Sequence, residues 1–163
     1  MFLDNAEFLP VVCQQINEGH SVTITARGNS MRPFIESDRD SVILSRCNPL
    51  QCRVGDVVLA EVAKGHFILH RIDAINGDDV TLRGDGNYPG TERCRRNDIR
   101  ALMSAVIRRG HLHHTSGRLW RTYSRLWVTM LPLRRYLLAL YRLLFLGQLP
   151  SRLKHPRSNH LNH

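Results

Sequence analysis

No acidic residue follows Asp98 in this chain of 163 residues. Residues 1–98 carry 11 Lys/Arg against 14 Asp/Glu, whereas residues 99–163 carry 12 Lys/Arg against none. A near-neutral part is therefore joined to a strongly basic one, and a cationic segment of that kind seeks anions. The sequence also lacks an uninterrupted apolar run of about 18 residues, which argues against a conventional membrane span. Its first ten residues include Asp4 and Glu7 and hold no long apolar stretch, so no signal peptide is expected. The expected location is cytoplasmic, with room for peripheral contact at a membrane surface. Cys13, Cys47, Cys52 and Cys94 follow no zinc or redox spacing, so reduced thiols are expected and neither a metal nor a cofactor is. At 42% hydrophobic residues the chain is too apolar for a disordered protein and long enough for one domain with an appendage.

Residues 4–18 read as a short helix, capped by Asp4 or Asn5 and ended by Gly19, with Pro10 arguing for a late start or a kink. Phe8, Val11, Val12 and Ile16 can share one face. Strand patterns follow at Ser21–Ala26, Ser41–Ser45, Asp56–Val62, Gly65–Ile72, Asp79–Leu82 and Arg100–Ile107. Lys64-Gly65 and Asn76-Gly77-Asp78 supply turns. The fold class is accordingly mostly β, a compact antiparallel domain over residues 21–110 behind an N-terminal helix over 1–20. Residues 111–147 form a basic amphipathic helical segment interrupted near Pro132, and residues 148–163 a polar, His-rich tail expected to be disordered. His111, His113 and His114 read as a solvated basic loop rather than a metal site.

Chemistry concentrates around Gly28-Asn29-Ser30-Met31-Arg32-Pro33. A serine in a turn just past a strand end can expose its hydroxyl, and Gly28 permits the tight backbone. Serine needs a base within hydrogen-bond reach to act as a nucleophile. His70, in the otherwise apolar run Phe67-Ile68-Leu69, is the candidate, since imidazole titrates near physiological pH. Asp85, between glycines in Gly84-Asp85-Gly86-Asn87, is the candidate acid to hold its other ring nitrogen, with Glu92 and Asp98 as second choices. His66 shares the strand parity of His70 and is the alternative base. A turn serine capping its own backbone, an ordinary strand histidine and a plain Gly-Asp-Gly-Asn turn are the bland alternatives.

Four boxes in this order resemble signal peptidase I and the self-cleaving repressors of the LexA type. Ser30-Met31-Arg32-Pro33 is similar to that superfamily's Ser-Met-x-Pro box. Val54-Gly55-Asp56-Val57-Val58 is similar to its Gly-Asp-Val-Val strand, His70-Arg71-Ile72 to its base position followed by Arg, and Gly84-Asp85-Gly86-Asn87 to its Gly-Asp-Asn box. The resemblance covers residues 21 to about 107 and stops before the basic segment. It implies a serine endopeptidase that cuts an extended leader or signal-like peptide at small residues. Two departures stand out. A histidine replaces the usual lysine, as in the Ser-His variant of endoplasmic-reticulum and archaeal signal peptidases. Gly28 occupies the place where many signal peptidases carry a serine in the oxyanion hole, so that hole would rest on the backbone N–H groups of Asn29 and Ser30. Met31, Pro33, Phe67 and Ile68 are the expected substrate contacts.

The segment 118–146 sets Leu119, Trp120, Tyr123, Leu126, Trp127 and Met130 at helical spacing against arginines. Such a helix can lie in a membrane interface, dock on a partner protein, or pack on the β domain. Two other functions compete with the peptidase. One is a non-catalytic module of the same fold that holds an extended peptide. The other is a LexA-like regulator whose basic tail touches nucleic acid, which the shortness of the region before the β domain disfavours.

Overall fold

The computed structural model describes residues 5–87 and 90–145, so the expected disordered tail at 148–163 lies outside the described residues. Helix α1 runs Asn5–Asn17 and is followed by strands β1 (Val22–Thr25), β2 (Asp40–Ser45), β3 (Val57–Ala63), β4 (His66–Asn76) and β5 (Asp79–Arg83). Then come β6 (Glu92–Arg95), β7 (Ile99–Arg108), β8 (His111–His114) and helices α2 (Arg118–Thr129) and α3 (Leu131–Phe145). All strands pair antiparallel in one sheet of order β1-β2-β7-β3-β4-β5-β6, with β8 added on β7. The molecule is thus mostly antiparallel β with a few helices, as the alternation and turn signals indicate.

The run Val57-Val58-Leu59-Ala60 is apolar at four successive positions, the pattern of a strand buried on both faces. Strand β3 accordingly contributes to two cores. Val57 and Leu59 pack with Leu9, Val12 and Ile16 of α1, with Met31 and Ile35, and with Met103 of β7. Val58 and Ala60 face the opposite way, into a second core with Ile72, Val80, Leu82 and Cys94. Strand β7 joins the halves: one edge takes β2, and the other takes β3 at residues 99–102 and β8 at residues 105–108.

Several local expectations change. The first helix passes through Pro10 instead of starting late, so the Ala6 carbonyl four residues earlier lacks its intrahelical N–H partner. Leu9, Val12, Cys13 and Ile16 form its buried stripe, while Val11 is exposed. His111–His114 is a strand, not part of a helical segment, and all four of its side chains are exposed. The C-terminal helices break at Met130, which leaves Pro132 in the first turn of α3, where its missing N–H has no intrahelical partner. All four cysteines are free thiols.

Asp40 closes the loop that carries Ser30. Its side chain is fully buried, and its two oxygens accept from Arg39 Nε and Nη2 at 2.8 Å each and from the Glu36 N–H at 3.1 Å. Arg108 Nη2 of β7 adds a contact at 3.2 Å. Burial pushes the carboxyl pKa up, but these donors outweigh it and hold it at about 2. A carboxylate depressed in the folded state stabilises above its unfolded pKa, and that stability is lost as pH falls through the folded value. Asp40→Asn should therefore cost on the order of 2 kcal/mol at neutral pH. The difference from the parent protein should shrink between about pH 4 and pH 2; urea unfolding across that range measures it.

Candidate active site

Gly28 holds φ +90°, a region that disfavours other residues, and turns the chain out of β1 toward Ser30. From Met31 the chain coils, with the N–H groups of Phe34 and Ile35 both donating to the Met31 carbonyl. Ser30 is half-buried, and its carbonyl accepts from Gly86 N–H at 2.7 Å. The Gly84–Asn87 loop thus sits directly against the serine turn. A Cβ on Gly84 would stand 2.4 Å from the Ser30 carbonyl oxygen and 3.1 Å from His70 Nε2. Those two atoms can be no further apart than the sum of the two distances. A Cβ on Gly86 would likewise come within 2.7 Å of the Asn29 carbonyl oxygen. Both glycines are required here by close approach.

Ser30 and His70 line one cavity of about 460 Å³. Its walls include Ile24 to Arg27 from the end of β1, Phe67 to Leu69 from β4, and Phe8 and Leu9 of α1. Met31, Phe67 and Ile68, expected as substrate contacts, are in the lining; Pro33 is not. The part played by α1 had no signal in the sequence beyond its apolar stripe. The backbone N–H groups of Asn29 and Ser30, expected to form the oxyanion hole, donate no hydrogen bond among the described residues; Ser30 lines the cavity and Asn29 does not.

His70 is buried, and its Nδ1 lies 2.9 Å from Glu92 Oε2. Beside an ionised carboxylate, Nδ1 carries the proton and Nε2 keeps its lone pair, the tautomer a general base needs. His66, the alternative base, is exposed at the start of β4. The Ser30 hydroxyl makes no hydrogen bond to His70 among the described residues, and such bonds often form only with substrate bound.

The residue seated on the imidazole Nδ1 is thus Glu92, a second choice from the sequence, and not Asp85. Asp85 is fully buried and accepts from Arg71 Nε at 2.8 Å and Nη2 at 2.7 Å. Arg71 Nη1 donates to the Gly55 carbonyl and to Ser124 Oγ of α2, each at 2.7 Å. The guanidinium centre lies 5.8 Å from the Trp120 ring centroid and 5.7 Å from that of Tyr123. Burial opposes the charge on Arg71, yet the Asp85 carboxylate more than compensates and raises its pKa. Asp98 caps the turn after β6, where it accepts from Arg95 N–H. Among the described residues no group of three or more His, Cys, Asp or Glu side chains converges as a metal site.

Comparison with protein-family models, with curated proteins and with solved structures finds no match to this chain.

Removing one partner of a buried ion pair strands the other. Arg71→Met should cost about 3–5 kcal/mol, whereas Arg71→Met with Asp85→Leu should recover much of that loss. A double-mutant cycle by chemical denaturation reads the coupling, and additive effects would contradict it.

Proposed function

We propose that the protein is a serine endopeptidase resembling signal peptidase, acting on an extended peptide with Ser30 as nucleophile, His70 as general base and Glu92 as the acid that orients it. The observation that carries this reading is one cavity holding both a turn serine and a buried histidine whose far nitrogen is anchored by a carboxylate. In the reaction, Ser30 Oγ attacks the scissile carbonyl while His70 Nε2 takes its proton. The N–H groups of Asn29 and Ser30 stabilise the oxyanion. His70 then protonates the leaving amine, and water, activated by the same imidazole, hydrolyses the acyl-enzyme.

Strand edges supply the means of holding substrate. Among the described residues, β1 ends the sheet and pairs only with β2, and β5 pairs with β4 only over Arg71–Asn76. The stretch from His66 to His70 therefore keeps one edge without a strand partner among the described residues. Ile24 and Thr25 of β1 and Phe67 to His70 of β4 line the cavity. An extended peptide entering there can add main-chain hydrogen bonds to either, with its side chains in the apolar wall. The preference for small residues at the cut comes from the resemblance alone.

The test is cleavage of an extended-peptide library read by mass spectrometry. The wild-type protein should cut and Ser30→Ala should not. Glu92→Gln should lower kcat by about 10²–10⁴-fold, because the imidazole loses its tautomer lock. Binding of peptides without cleavage by the wild type would replace the peptidase with a non-catalytic peptide-holding module.

A further inference from the structure

Helix α3 turns only part of its apolar surface inward. Leu138 is buried, and the Tyr141 hydroxyl donates to the Glu36 carboxylate. Leu133, Tyr136, Leu137, Leu140, Leu143 and Leu144 are 36–65% exposed. Their spacing of three and four residues aligns them as one stripe along the helix. A contiguous apolar stripe of this length marks an interaction surface rather than scattered surface residues. No helix among the described residues is long and apolar enough to cross a membrane.

Charge selects the occupant. Residues 118–145 hold six arginines and no acidic residue, and no acid follows to the end of the chain. A second copy of the chain would bring another arginine-rich segment without acids close to the first and be repelled. Nucleic acid would satisfy the arginines but give the leucines nothing to bury against. An anionic lipid surface satisfies both: acyl chains take the leucines, and headgroups take the arginines. Tyr136, 58% exposed within the stripe, is of the type favoured at that boundary.

We infer that α3 seats the protein on anionic membrane surfaces through its exposed leucine face. The helix lies in the plane of the interface and does not span it. Glu36, which holds Tyr141, also pairs with Arg32 at 2.9 Å, so the seated helix is fixed to the turn that carries Ser30. The inference does not depend on peptide cleavage.

The experiment is sedimentation of the full chain with vesicles of phosphatidylcholine alone or of equimolar phosphatidylcholine and phosphatidylglycerol. The protein should partition onto the anionic vesicles and be weakened there by salt. Leu140→Glu and Leu144→Glu, each at an exposed position, should keep the native circular dichroism and reduce partitioning about tenfold or more. Three results would overturn the inference: variants that bind as the parent does, equal binding to pure phosphatidylcholine, or no vesicle binding by the parent. If light scattering finds a dimer in the last case that either glutamate dissolves, the face is a self-association surface instead.

Discussion

The ion pair between Arg71 and Asp85 holds the molecule in register. Both side chains are removed from water, a situation tolerable only when every charged group finds a partner. Here the guanidinium is met on all sides: by a carboxylate, by the carbonyl of the Gly55 turn, by a hydroxyl from α2, and by two aromatic rings. Strand alternation sends His70 and Arg71 to opposite sides of β4. One residue faces the cavity, and its neighbour anchors the loop whose Gly86 N–H grips the Ser30 carbonyl. The position of Ser30 relative to His70 is therefore relayed through a salt bridge rather than set by a direct bond between them.

This arrangement also explains why the basic C-terminal segment is more than an appendage. Trp120 belongs to the first core, beneath the same arginine that Ser124 contacts. Phe34, just past the serine turn, meets Trp120 edge-on at 4.2 Å and Tyr123 at 4.5 Å between ring centroids. Helix α2 thus packs against both the arginine and the end of the loop that carries Ser30. Of the three roles open to this segment from its sequence, packing on the β domain is the one α2 displays. The leucine face of α3, by contrast, stays exposed.

Legibility in the sequence followed how local each signal is. The strands with apolar alternation, and the hairpin turns at Lys64-Gly65 and Gly77-Asp78, stand where the pattern puts them. β6 reads Glu-Arg-Cys-Arg and β8 reads His-Leu-His-His; neither alternates strongly enough to announce a strand, and both form by pairing with a neighbour already in place. Because β6 was invisible, Glu92 could be named as an acid but not placed against His70. Asp85 was singled out as the acid for His70; it is buried, but against Arg71 instead. Its partner could not be read, since Arg71 next to a candidate base looks like an ordinary charge until strand parity turns it inward.

Strand β7 has a consequence for biosynthesis. It is the seventh strand made, yet it sits near the middle of the sheet, holding β2 on one edge and β3 on the other. Ser45 and Ser104, whose hydroxyls share a hydrogen bond at 2.9 Å, are separated by 59 positions. Until residue 108 has left the ribosome, β2 and β3 each expose an edge that only the late strand can fill. Such sequence-distant pairing slows folding and prolongs the exposure of unpaired edges. A nascent chain is consequently most prone to misassociation in the interval before β7 emerges.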